Sequence, residues 1–304
     1  MKSLISIVIP AYNEEEAIPQ LLKRLLNVIA SLARYNFEII VVENGSIDNT
    51  LRKLLEARRY DKRIKIIQLV KNATCDGGII AGLTYASGDA AIIMMADLQD
   101  IPELIPEFLA KWKEGYEIVY GIVAKRKNMK LTRKLGTYLF YKTMNILSKG
   151  LVPENASDFR LIDKKVYQVV LSMSEHHKFF RGMVVWTGYK TVGIPFIRPD
   201  RIAGKSKADL TTVIKVAMNG MISFSFLPLR IAWFMSLLLL VACLISLFTA
   251  SRQMTLVFLL FTFTSAMIAI QGEYLGRILE EVRDRPQFVI RNTFGLTQVL
   301  KKKS

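Results

Sequence analysis

Cysteine is almost missing from this chain: 304 residues hold two, Cys75 and Cys243. They stand far apart with no paired spacing, so neither a disulfide framework nor a zinc cluster is available, as expected at a reducing cytoplasmic face. Acid is also short, with 26 Asp and Glu against 42 Lys and Arg, a formal net charge of +16. No cleavable leader is visible, because the first ten residues run straight from Met1 into a strand-like segment closed by Pro10. A P-loop is missing too: Gly204-Lys205-Ser206 has neither the upstream glycine nor a preceding strand. Nothing repeats, and no low-complexity linker breaks the chain.

Long apolar runs, by contrast, are present. Hydrophobic residues make up 51% of the sequence, and the mean hydropathy is +0.27. The excess is local. Residues 233–250 (WFMSLLLLVACLISLFTA) and 254–271 (MTLVFLLFTFTSAMIAIQ) carry no charge. Each approaches the roughly 20 residues that cross a bilayer, and buried core helices would show more of a polar face. The expectation is a tight two-span hairpin turning at residues 251–253. Lys205, Lys207, Lys215 and Arg230 precede it, and Arg277, Arg283, Arg285 and Lys301 to Lys303 follow it, whereas the turn carries only Arg252. That asymmetry places both termini and the bulk of the chain in the cytoplasm, in a multi-pass protein of the cell (inner) membrane. Basic charge flanking the spans suits an anionic lipid surface. With no nucleic-acid motif in sight, the expected partner is the lipid bilayer and no nucleic acid. Gly272 and Gly276 have the small-xxx-small spacing of a helix contact, compatible with a homo-oligomer.

Ahead of the hairpin, strand and helix patterns alternate. Strands are predicted at 5–9, 37–42, 64–70, 90–95 and 117–121, and helices at 15–32, 49–59, 77–86 and 102–113. Alternation with short connections argues for an α/β fold with a mostly parallel sheet covered on both faces. From 125 to 151 basic and apolar residues alternate in an amphipathic pattern. That segment suits either the membrane interface or packing on the domain. The apolar stretch 210–229 also suits the interface. The organisation expected is a cytoplasmic domain over 1–208, an amphipathic juxtamembrane segment over 209–232, and a hairpin with a basic tail over 233–304.

Chemistry concentrates in residues 88–102, GDAAIIMMADLQDIP. An apolar run reading as a buried strand ends in Asp97, Gln99 and Asp100. Ligand crevices in open α/β sheets lie at the carboxyl ends of strands. Hard oxygen donors there suit Mg2+ or Mn2+ carrying a phosphate-bearing substrate. The alternative is an acidic loop, with Asp100 as N-cap ahead of Pro102. The first strand exits into PAYNE (10–14), the second into ENGSIDNT (43–50), and SDFR (157–160) and RPDRIAGKSK (198–207) follow. Such groups can grip base, ribose and phosphates.

In order and spacing these segments resemble the family 2 glycosyltransferases. More narrowly, they resemble the polyprenyl-phosphate (dolichyl-phosphate-type) glycosyltransferases with two C-terminal transmembrane helices. The resemblance spans SIVIPAYNEE, VVENGSIDNT, the metal-strand block, SDFRLID, RxxGKSK and GEYLGRILEEVRDRP. It implies a GT-A-type nucleotide-sugar-binding domain. It also implies inverting transfer of a single sugar from a nucleotide-sugar, with UDP the expected carrier, to a polyprenyl phosphate such as undecaprenyl phosphate, for cell-envelope glycan modification. By position, Pro10, Tyr12, Glu14, Asn44, Ser46 and Asp97 would line the nucleotide-sugar, and Asp97 and Gln99 would hold the metal. Asp158 and Arg160 would be catalytic, and Arg126, Arg201, Ser206 and Lys207 would surround the phosphates and acceptor. The chain departs from the pattern at Met95, where the first Asp of Asp-x-Asp is usual, and at Asn44, usually Asp. The stretch Lys71-Asn72-Ala73-Thr74-Cys75-Asp76 lacks the usual Phe-Gly and a following basic residue, and Val123 stands where Arg is common. Those changes leave two readings open: an enzyme adapted to its donor, or a catalytically silent nucleotide-sugar-binding membrane subunit that partners another glycosyltransferase.

Overall fold

A computed structural model describes residues 2–125, 156–175, 179–199, 253–283 and 285–296, with Leu237 and Val241. Every element expected between residues 5 and 121 forms. In order these are β1 (Ser3–Ala11), α1 (Ala17–Ala30), β2 (Tyr35–Glu43), α2 (Thr50–Tyr60), β3 (Ile64–Leu69), α3 (Thr74–Thr84), β4 (Ala90–Ile93), a 3-10 turn (Pro102–Leu104), α4 (Ile105–Lys113) and β5 (Ile118–Lys125). Elements beyond the expectation are β6 (Ala156–Asp163), α5 (Lys164–Ser172), α6 (Phe180–Trp186), β7 (Thr191–Ile197) and β8 (Ile290–Phe294), and a helix α7 (Gln253–Arg283) covers the second apolar run.

All eight strands share one sheet in the order β7-β5-β6-β4-β1-β2-β3-β8. Its nucleus, β3-β2-β1-β4, is parallel, and β5 and β7 pair in parallel beyond it. β6 runs antiparallel to both β4 and β5, and β8 antiparallel to β3. The last seven residues of β1 and of β2 are all buried, the signature of strands covered on both faces. One cover is α1, which buries Ile18, Leu21, Leu22, Leu25 and Ile29 at helical spacing. On the other, α3 lies so close that a Cβ on Gly82 would sit 2.3 Å from Val8 Cγ1 and 3.1 Å from Val42 Cγ2.

The two ends of the sheet are built differently. At the amino end Glu38 is buried and accepts from Ser6 Oγ, from Ser87 N and Oγ, and from Lys65 Nζ. Burial alone would raise its pKa, but these donors together hold it below the usual carboxylate value. Glu38 is therefore a satisfied structural ion. The carboxyl end carries the loops described below.

Two expectations are revised. Residues 290–294, assigned to a basic tail, form an edge strand, tied to β3 by Val70 N–Val289 O and Asn292 Nδ2–Gln68 Oε1, both 2.9 Å. Among the described residues no helix is long and apolar enough to cross a membrane, so the two-span hairpin is not a feature of the described fold. The first expected span, apart from Leu237 and Val241, lies outside the described residues, as do the juxtamembrane segment 209–232 and most of the amphipathic stretch 125–151. The second falls within α7, whose Phe261 and Ile268 are 73% and 63% exposed.

Candidate functional site

β1 lies between β2 and β4: the connection leaving β1 runs to β2, while the one leaving β3 crosses back to β4, so the strand order reverses at β1. A crevice opens at such a point. Three non-glycine residues there have left-handed backbone: Asn13 (φ 53°), Thr74 (φ 65°) and Leu98 (φ 61°). They follow β1, β3 and β4 respectively, and strain of this kind gathers at ligand sites.

The loops after β1 and β2 brace each other. Asn13 N donates to Ser46 Oγ at 3.1 Å, and Asn13 Oδ1 accepts from Ile47 N at 2.9 Å. Glu14 N donates to Thr50 Oγ1 at 2.9 Å. Pro10, Tyr12 and Glu14, at and beyond the end of β1, and Asn44 and Ser46, just beyond β2, thus lie on two neighbouring chain segments. Two of them already have structural work. Ser46 accepts from Asn13 and donates its N–H to Glu43 Oε1. Asn44, buried, donates Nδ2 to Thr74 O at 2.7 Å and accepts from Ala73 N at 2.8 Å. Its amide pins the left-handed turn that starts α3; ahead of α2, Asn49 holds the cap position without a side-chain bond and Asp48 accepts from Thr50 N.

After β4 the chain reverses through Leu98. Asp97 Oδ1 accepts from Gln99 N at 3.2 Å, and Gln99 Nε2 reaches Pro199 O at 3.5 Å. Asp100 is not the helix cap that the sequence allowed: Ile101 occupies the cap position without a side-chain bond. Asp100 is fully buried and accepts from Met95 N at 2.8 Å, closing the loop that displays Asp97 and Gln99. Burial drives its pKa up to about 7 against the pull of Arg198. Met95 Sδ lies 3.5 Å from Cys75 Sγ, so two departures from the family pattern meet in one contact.

β6 brings the basic half of the site. Asp158 is held by Arg181, Nε to Oδ1 at 3.0 Å and a terminal nitrogen to Oδ2 at 2.7 Å. Arg160 is buried, donates to Ser157 O at 2.9 Å and stands 3.8 Å from Asp158. Arg198, just past β7, is 3.8 Å from Asp100. The Nε atoms of Arg160 and Arg198 are buried with no hydrogen-bond partner among the described residues. Buried donors left open in this way fit an anionic ligand that supplies the acceptor. Val123, by contrast, is simply buried core in β5. Arg126, Arg201, Ser206 and Lys207 lie outside the described residues.

The sequence reading missed Arg181 and Asp76. The signal for Arg181 was available: a lone guanidinium inside the apolar run FFRGMVVW demands a buried partner. Among the described residues no group of three or more His, Cys, Asp or Glu forms a metal cage. Asp97 and Gln99 nevertheless fit Mg2+ or Mn2+. Such ions bind through one or two protein oxygens, with substrate phosphates and water completing the shell.

The model of the family described as "Glycosyl transferase family 2" matches residues 6–171. A glycosyltransferase of Bacillus subtilis (strain 168), named YkcC and described as uncharacterized, is 35% identical, with 96% of this chain and 94% of that protein covered. The SfII prophage-derived bactoprenol glucosyl transferase of Shigella flexneri is 34% identical, over 95% of this chain and 98% of that protein. Among solved structures, glucosyl-3-phosphoglycerate synthase from Mycobacterium tuberculosis, in complex with Mn2+, UDP-glucose and phosphoglyceric acid, aligns at 18% identity and a TM-score of 0.46, covering 71% of this chain and 76% of that one.

Proposed function

Because the chain belongs to glycosyl transferase family 2, we propose that it moves one sugar from a nucleotide-sugar to a polyprenyl phosphate at the cytoplasmic face of the cell membrane, with inversion at the anomeric carbon. It is a glycosyltransferase with a GT-A-like, mostly parallel sheet; the acceptor, the UDP carrier and the location belong to the proposal. The observation that carries it is the meeting, at one sheet edge, of the Asp97–Gln99 turn with Asp158 and the open guanidinium donors of Arg160 and Arg198. The 34% identity to a bactoprenol glucosyl transferase over nearly the whole chain supports a lipid-phosphate acceptor. Charge flanking residues 233–271 and the exposed apolar side chains of α7 support a bilayer partner.

In this reading an acceptor phosphate oxygen attacks the anomeric carbon, and the bond to the nucleoside diphosphate breaks, its electron pair leaving with the diphosphate. A phosphate monoester is largely ionised at neutral pH, so no side chain has to remove a proton. Asp97 and Gln99 would hold Mg2+ or Mn2+, which supplies charge neutralisation on the leaving diphosphate. Arg160 and Arg198 meet developing negative charge in a partly dry pocket, where fixed donors are most effective. Asp158 aligns the acceptor, a contribution of position and not of basicity.

The test is a transfer assay in detergent with undecaprenyl phosphate, Mg2+ or Mn2+ and a panel of labelled nucleotide-sugars. A labelled lipid that disappears in Asp97→Ala, with an unchanged unfolding midpoint, is the expected result. Nucleotide-sugar binding without product from any donor overturns the reading in favour of the silent subunit.

A further inference from the structure

Asp158 is not a bare carboxylate. Both its oxygens are taken in a two-point fork by Arg181, whose helix α6 the sequence reading did not find. The fork is itself held in place. The N–H of Phe180, the residue before Arg181, donates to the Asp76 carboxylate at the start of α3, and the Arg160 guanidinium lies over the Phe180 ring at 5.6 Å. Phe180, Gly182, Met183 and Val184 are buried around it. Such a bidentate pair fixes direction as well as charge.

We propose that Arg181 is a positioning residue that keeps Asp158 ionised and fixed in direction beside Arg160 at the transfer centre, where Asp158 is not a carrier of protons. The proposal rests on the reading that Asp158 lies at the transfer centre. The charged surroundings are consistent. Burial pushes the Asp158 carboxyl up, but the charge and hydrogen bonds of Arg181, then Arg160 and Arg198, outweigh it and hold it at about 2. Asp76 on α3 and Asp100 after β4, each raised to about 7 chiefly by burial, face it with like charge when ionised, as does Cys75 when it ionises.

The sign follows from linkage. With its folded pKa below the ordinary 3.8, Asp158 contributes stability that is complete above about pH 4 and lost as pH falls toward 2. Without Arg181, burial and the neighbouring carboxylates raise that pKa. Stability then drops as pH rises through the new interval, so the variant falls further below wild type at pH 8 than at pH 5.

The experiment combines unfolding and turnover. Wild type, Arg181→Gln, Asp158→Asn and the double variant are unfolded thermally in detergent from pH 5 to 8. Turnover of the same proteins and of Arg181→Lys is measured across that range. Arg181→Gln is expected to lower the midpoint most at pH 8, and Asp158→Asn in its background to recover much of that loss. Its kcat is expected to fall about 10²-fold, the effect of misplacing an aligned group. KM for the nucleotide-sugar stays within a few-fold, an acid limb enters the pH profile, and Arg181→Lys recovers part of kcat. Additive, pH-independent unfolding losses, or an unchanged kcat in Arg181→Gln, would overturn the assignment. A coupled, pH-dependent cycle in a chain silent toward every donor would instead support the clamp and overturn the transfer role.

Discussion

Asn44 and an aspartate in its place differ by the donating half of the amide, and that half is in use. Nδ2 donates to Thr74 O while Oδ1 accepts from Ala73 N. Aspartate keeps the second bond and turns the first into a buried carboxylate facing a carbonyl. Asn44→Asp, a change back toward the usual family residue, is therefore expected to destabilise the protein by about 1–3 kcal/mol. Chemical unfolding checks this, and an unchanged or higher stability would show that the amide is dispensable. The same logic applies at Met95. A thioether has little to offer a hard cation, and its sulfur already rests against Cys75. Its backbone N–H is the part of Met95 that serves the site, through Asp100. Asn44 and Met95 thus each serve a structural contact of their own, Asn44 at the start of α3 and Met95 beside the Asp97–Gln99 turn.

Among the elements, α3 shows how packing decides where propensity would mislead. Its residues Gly77, Gly78 and Gly82 are poor helix formers, yet the helix forms because Gly78 and Gly82 let it lie against Pro10, Val8 and Val42 of the sheet. Gly82→Ala improves propensity by up to about 1 kcal/mol, but its Cβ would sit 2.3 Å from Val8 Cγ1. Overpacking of that kind costs roughly 1–3 kcal/mol. A lowered unfolding midpoint is expected, and a raised one would mean that α3 can lift off β1. The parallel half of the fold was legible because both periods were clean: β-branched runs at β1 to β4 and the apolar stripe of α1. That placed the site at the carboxyl ends of β1, β2 and β4. β6, β7 and β8 were not legible. SDFRLID carries polar residues at its start, TVGIPFI contains a proline, and IRNTF follows a helix of 31 residues. Each joins the sheet through pairing to distant residues, such as Thr293 to Ile67, which no local window contains. Asp100 was misread for a related reason: a carboxylate two residues before a proline looks like a cap, and only the fold shows it bonded back to Met95.

Taken as a whole molecule, the chain must reconcile a net charge of +16 with a long helix whose Val257, Phe261, Ile268 and Leu275 are exposed. Charge and apolar surface give two distinct ways of holding a membrane, and they respond differently to solution conditions. Attraction of basic residues to anionic lipid is screened within about 3 Å at 1 M salt. Burial of apolar side chains in hydrocarbon is not screened, and salts that favour burial strengthen it. β8 adds a geometric link: residues 290–294, a few positions beyond α7, are a strand of the catalytic sheet, so whatever holds α7 also holds the edge of the domain beside β3. On the proposal that the bilayer is a partner, washing membranes in 1 M salt is expected to leave the protein in the pellet, and detergent to release it. Arg285→Glu combined with Arg283→Glu should leave that partitioning unchanged while weakening the binding of detergent-purified protein to anionic vesicles, by about 1 kcal/mol for each basic charge removed. Release by salt alone would assign the attachment to charge and not to the exposed apolar side chains of α7. Release by an alkaline carbonate wash but not by salt would place α7 along the membrane interface.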